Sequence, residues 1–126
     1  MTRRSIDIQS FAHQNPIPAA TRIGPLLVSS IIPPFDAGTR KVPEAVDAQI
    51  ENLFLHIGNM LTEAGASFDD VAKITFFVSD IRYRDAINEP WLKRFPDPAS
   101  RPSRHTMVVA GGGPAISCEF SAYIET

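Results

Sequence analysis

The residues of this chain that could do chemistry crowd into its closing stretch, RPSRHTMVVAGGGPAISCEFSAYIE, Arg101 to Glu125. Arg104 offers a planar fork that binds a carboxylate through two parallel hydrogen bonds. Glu119 can hold or deprotonate a water molecule. Both lie in segments that alternate like strands, joined by Gly111-Gly112-Gly113-Pro114, which reads as a hairpin turn centred near Gly112–Gly113. That register sets Thr106 opposite Glu119 and Arg104 opposite Ser121. Arg104 and Glu119 become diagonal neighbours on a polar face with Thr106, Ser117 and Ser121. His105, Met107, Val109, Ile116, Cys118, Phe120 and Ala122 fall on the other, core-like face. A carboxylate anchor beside a water-positioning acid is the functional reading. A structural ion pair at a subunit contact is the plain alternative, and a buried pair would add little stability, because desolvation offsets the attraction.

The other candidates carry less. His105 alternates away from Arg104, which makes it a structural or partner-contact histidine. His13 reads as a residue of a solvated polar loop, with reach into a neighbouring site as the lesser alternative. His56, among polar neighbours on a helix, reads as surface. Cys118 reads as core, since a reactive thiol needs exposure and positive surroundings. Trp91 and Phe95 read as packing, Arg22 and Arg101 as solvated, with Arg101 near a cleft mouth. GGGP opens no helix, so it is not a phosphate loop.

These residues need a scaffold. The chain's 126 residues suit one domain, 1–126, with a single core. Apolar residues make up 44%, charged residues 21%, and the net charge is −2. No basic surplus points to nucleic acid. One cysteine excludes an internal disulfide and gives no metal cluster. The opening MTRRSIDIQSF lacks the apolar segment of a secretory signal, and no apolar run approaches the ~20 residues of a membrane span. A soluble, cytoplasmic protein is the expectation.

Periodicity supplies the elements. A short strand is expected near Ser5–Gln9, a loop through NPIPAA, a turn at Ile23-Gly24-Pro25 and a strand over Leu26–Ile31. Val46, Ile50, Leu53, Phe54, Ile57, Leu61 and Ala64 recur at threes and fours, predicting a helix over Pro43–Ala64 that Gly65 ends. Val71–Val78 reads as a buried strand. Tyr83–Phe95 reads as a second helix with Ala86, Ile87, Leu92 and Phe95 inward, kinked or broken at Pro90. Strands at Arg104–Ala110 and Ile116–Ile124 close the chain. The result is an α/β (α+β) two-layer sandwich, a mixed β-sheet covered on one face by two helices. A partner subunit is the simplest cover for the other face.

With these residues in place, the sequence resembles the RidA/YjgF family of small enamine and imine deaminases. The likeness runs through EAGASFDDVAKITFFVSD, INEPWLKRFPD, PSRHTMVV and ISCEFSAYI, most of the chain. It implies a chorismate-mutase-like fold and a homotrimer with sites in the clefts between subunits, acting on a small carboxylate-bearing substrate such as 2-aminoacrylate without metal or organic cofactor. It carries the family's carboxylate-binding arginine onto Arg104 and the water-positioning glutamate onto Glu119. Asn88, Ser30 and Thr106 take the positions of its helix asparagine, strand-end serine and a small polar group two after the arginine. NPIPAATRIG replaces the family's tyrosine-bearing G-P-Y-x-Q stretch, and Ser29-Ser30-Ile31-Ile32-Pro33 replaces its T-S-G-Q turn. The resemblance leaves open a specialised deaminase of 2-aminomuconate type, a non-catalytic metabolite binder, and an RNA-directed activity; the pI of about 5.9 and the lack of a basic stripe oppose the last.

Overall fold

The strongest periodic signals become the central elements. A computed structural model describes every residue except Gly112 and Thr126. In it β1 (Arg3–Ile6), β2 (Ala20–Ile23) and β3 (Leu26–Ser29) precede helix α1 (Val46–Ala64), and β4 (Val71–Val78) follows. A 3₁₀ run, Ile81–Ile87, leads into α2 (Asn88–Arg94), and β5 (Ser103–Val108) and β6 (Ile116–Tyr123) close the chain. The stripe on α1 is buried as expected, and the helix stops at Gly65, whose φ of 80° suits the residue that needs no Cβ. The amide of Gly65 bonds Thr62 and that of Ala66 bonds Leu61, so the last carbonyls are satisfied.

The two helices cover one face of a six-stranded mixed sheet in the order β1-β2-β3-β6-β4-β5. Ile74, Phe76, Val78, Ile116, Cys118, Phe120 and Ala122 point to the helices and join the core with Ile50, Leu53, Phe54 and Ile57. Cys118 is therefore core, as expected. No helix among the described residues is long and apolar enough to cross a membrane.

The sheet order corrects the closing hairpin. β5 and β6 do not pair: β4 lies between them, parallel to β5 and antiparallel to β6. The helical crossover from β4 to β5 makes that pair parallel, so β5 ends at the same sheet end as β4. The chain then passes over the end of β4 to reach its other side. The amide of Val109 bonds Val78 and that of Ser79 bonds Ala115, pinning both ends of this passage to the terminus of β4. The centre of the expected turn, Gly112, lies outside the described residues. His105 and Met107 consequently share the open face rather than the core face with Cys118.

Three smaller differences have local causes. Ala20–Ile23 forms a strand where a loop is expected, and Gly24, with φ of 55°, provides the two-residue turn into Leu26. β3 stops at Ser29 instead of Ile31: the Phe120 amide bonds the Ser29 Oγ, and pairing resumes only at Ile32 with Cys118. The helix over Tyr83–Phe95 is broken at Asn88, as its proline led to expect, because an α-helix entering Pro90 would press its ring on the carbonyl four residues back. The phase change turns Trp91 inward and leaves Leu92 exposed.

His56 is the clearest misplacement. It is fully buried, not surface. Its Nε2–H donates to the Phe35 carbonyl at 2.8 Å, and its Nδ1 accepts from the Ser10 hydroxyl at 2.8 Å. The Asn59 amide donates to the same Ser10 oxygen. Two loops thus fold over the flank of α1 and fasten to one imidazole. Arg22 is likewise half-buried rather than solvated, donating to the carbonyls of Gly24 and Ala64.

Candidate active site

Arg104 sits on β5 opposite Ile74, on the helix-facing side of the sheet. At this edge it meets α2 instead of the core. One guanidinium nitrogen donates to the Asn88 Oδ1 at 2.9 Å, and the group lies 5.2 Å from the centre of the Trp91 ring. Asn88 fixes one end of the fork, and Trp91 is a flat support for a cation. Burial holds the Arg104 pKa below its ordinary value; the Arg84 charge pushes it the same way and Asp85 opposes both. The guanidinium stays charged at any relevant pH. Among the described residues Arg104 forms no ion pair. Thr106 shares its side of β5, opposite Phe76.

Glu119 lies elsewhere. Its partner across β4 is Thr75, and both point to the open face. They line a cavity of about 280 Å³ with Val28, Ser29, Lys73 and Ser121. Lys73 pairs with Ser121 two residues from Glu119, so the cation diagonal to Glu119 is Lys73, and not Arg104 as the hairpin register requires. Ser30 lies on the segment between Ser29, which bonds Phe120, and Ile32, which bonds Cys118. Its hydroxyl donates to the Pro18 carbonyl at 2.8 Å and ties down the NPIPAA loop.

The expected site is therefore two half-sites in one chain. Arg104 and Thr106 share one side of β5 at its edge, with Asn88 on Arg104, whereas Glu119 lies on the open face and the Ser30 hydroxyl is turned to Pro18. Sequence reasoning missed Lys73 and Thr75, although their alternation with the buried Ile74 and Phe76 carries the signal. It also gave Trp91 only a packing role, whereas the ring both packs and supports Arg104. His105 lies across from Thr75 on the open face, away from Arg104 as expected. A larger hollow of about 340 Å³ is lined by Phe68, Arg94 and Arg101. Its arginines are engaged, Arg94 with Glu51 and Arg101 with backbone carbonyls, so it does not compete as an anion site.

Residues 7–125 match the family profile described as Endoribonuclease L-PSP. The chain belongs to the RidA/YjgF family. Over 69 residues it is 35% identical to a chloroplastic protein of Arabidopsis thaliana named Reactive Intermediate Deaminase A, covering 55% of this chain and 36% of that protein. Over 71 residues it is 30% identical to a RutC family protein of Aquifex aeolicus, covering 56% of this chain and 57% of that one. These matches span between about a third and just over half of each curated relative. Solved structures agree over the full fold. RidA of an Antarctic Psychrobacter superposes with a TM-score of 0.87 at 25% identity, covering 96% of this chain and 99% of that one. The YjgF gene product of E. coli superposes with a TM-score of 0.85 at 22% identity, covering 97% and 99%.

Proposed function

We propose that this protein is a deaminase that hydrolyses a small enamine or imine carboxylate, of 2-aminoacrylate type, to a keto acid and ammonia. The observation that carries this reading is the charged Arg104 fork, held by Asn88 over Trp91 at an exposed edge and without a carboxylate partner among the described residues. A substrate carboxylate completes it. The enamine tautomerises to an imine, and water adds to the imine carbon. Glu119 takes the water's proton and returns it as the C–N bond breaks, so ammonia leaves and a ketone remains. Fixing the carboxylate beside that water supplies the rate by proximity. These steps balance without metal or organic cofactor.

Arg104 and Glu119 lie on opposite sides of one chain's sheet, so the reading joins them between subunits of a homotrimer in the cytoplasm. Support comes from the apolar side chains left on the open face: Leu26 is 47% exposed, Met107 45% and Tyr123 59%. A non-catalytic metabolite binder is the second reading, favoured by the engagement of the Ser30 hydroxyl with Pro18.

The test generates 2-aminoacrylate in situ and follows keto-acid release. Arg104→Ala should lower kcat/KM about a hundredfold, since two charge-assisted hydrogen bonds of about 1.5 kcal/mol each are lost. Binding of carboxylates without release above background moves the assignment to the binder.

A further inference from the structure

Glu119 has a neighbour across β6 that the proposed chemistry does not use. β3 and β6 pair in register from Leu26 opposite Tyr123 to Val28 opposite Ser121. Continued, that register would set Ile31 opposite Cys118. Ile32 takes that place instead: its amide donates to the Cys118 carbonyl at 2.7 Å, and the Cys118 amide donates to the Ile32 carbonyl at 3.2 Å. The segment from Ser29 to Ile31 therefore opposes only Glu119 and Phe120, which makes it a β-bulge. The Ser29 hydroxyl fills the gap in the ladder by accepting from the Phe120 amide at 2.9 Å. Ser30 pins the bulge from its other side, its amide donating to the Ala19 carbonyl at 2.9 Å and its hydroxyl to the Pro18 carbonyl at 2.8 Å.

The bulge decides what stands against Glu119. Ile32 and Cys118 exchange both backbone bonds and are fully buried on the core face. The next pair along an antiparallel ladder is the closely spaced kind, about 4.5 Å between Cα atoms, with its side chains on the opposite face. That pair is Ile31 and Glu119. Ile31 is 44% exposed on this open face, and Val28, which lines the cavity with Glu119, is 39% exposed. On the other flank β4 supplies Thr75 opposite Glu119 and Lys73 diagonal to it. Glu119 thus stands on the boundary between a polar flank and an apolar one.

We propose that Ile31 is a specificity residue of this site and that the substrate carries an apolar side chain larger than methyl, seated on Ile31 and Val28. The inference rests on the proposed role of Glu119 as holder of the attacking water. With that water at Glu119, the imine carbon lies beside it. The carboxylate goes to Arg104 of the neighbouring subunit and the nitrogen to the Thr75 flank, which leaves the apolar flank for the side chain. Carbon chain buried there leaves water, and a single methylene in such a pocket changes selectivity about tenfold or more. The hydrolysis is unchanged: water adds at the imine carbon, ammonia leaves, and a 2-keto acid with an apolar chain forms.

The test compares imines made in situ from leucine and alanine by an amino-acid oxidase, following keto-acid release above the spontaneous rate. The alanine imine is the tautomer of 2-aminoacrylate and serves as the reference. The wild type should process the leucine imine with a kcat/KM at least about tenfold higher. Ile31→Ala and Ile31→Thr should bring that ratio towards one, and Ile31→Val should keep most of it, because apolar surface is at work. Thr keeps the branched shape that strands favour, so Ile31→Thr reads the ratio even where Ile31→Ala does not fold. Equal efficiency on the two imines in the wild type, or a ratio unchanged in Ile31→Thr, removes the role of Ile31 and leaves the deaminase standing. Calorimetry with the product keto acids, 4-methyl-2-oxopentanoate and pyruvate, separates the claim from the reaction. Turnover of neither imine, with 4-methyl-2-oxopentanoate bound at least about tenfold more tightly than pyruvate and that preference lost in Ile31→Thr, removes the deaminase and leaves Ile31 in place. Turnover of neither and no such preference overturns both.

Discussion

At the scale of single residues, environment decides what each candidate can do. Cys118 is enclosed between the sheet and helices, and burial, with a smaller push from the Glu119 charge, raises its thiol pKa well above the ordinary range. It should stay unmodified by a thiol reagent in the folded protein and react fully in denaturant; rapid labelling of the native state contradicts its place in the core. His56 is buried too, and desolvation lowers its pKa from 6.5, with the bond to Phe35 opposing. A histidine whose folded pKa is depressed adds stability that is complete above the unfolded value and falls as pH drops below it, because the unfolded chain binds the proton more readily. Urea unfolding should therefore show a midpoint lower at about pH 5 than at about pH 7, and His56→Leu should flatten that part of the slope. The same variant leaves Ser10 and the Phe35 carbonyl without their partner and should cost about 2–3 kcal/mol. A slope equal to that of the wild type would place the titration elsewhere.

At the scale of elements, what was legible was local. The stripe of α1 and the apolar run of β4 each satisfy their own period, so Val71–Val78 matches residue for residue and the helix end falls at Gly65. Gly65→Ala tests that end. An added Cβ would meet only the Arg22 Nη1 at 3.6 Å, so the change should cost about 1 kcal/mol through the left-handed backbone alone. No loss in the thermal or urea midpoint would show that φ of 80° is not required. The closing hairpin misled because two alternating segments around glycines look alike whether they pair or straddle a third strand. Only the crossover through α2, a long-range fact, puts β4 between them. His56 misled for the same reason: its neighbours in sequence are polar, but its cover comes from Ser10 and Phe35 far along the chain. The site was legible in residue type at Arg104, Asn88 and Glu119, and illegible in arrangement, since the face on which each side chain lies follows from strand order.

At the scale of the whole molecule, one sheet face is covered and the other is half apolar. Leu26 and Tyr123 lie across from each other on the open side. In the proposed trimer this pair is buried, and Leu26→Asp should shift sedimentation from trimer to monomer while far-UV circular dichroism stays unchanged. A wild type that sediments as a monomer would leave Arg104 and Glu119 unable to share a substrate. That sharing is the central claim, and mixing two defective variants tests it most directly. Arg104→Ala and Glu119→Gln are each expected to keep about a hundredth or less of the wild-type 2-aminoacrylate hydrolysis. If each site takes Arg104 from one subunit and Glu119 from its neighbour, trimers reassembled from an equal mixture should regain about a quarter of wild-type activity, because random assembly restores both residues at that fraction of sites. Activity no greater than that of the separate variants would contradict a shared site.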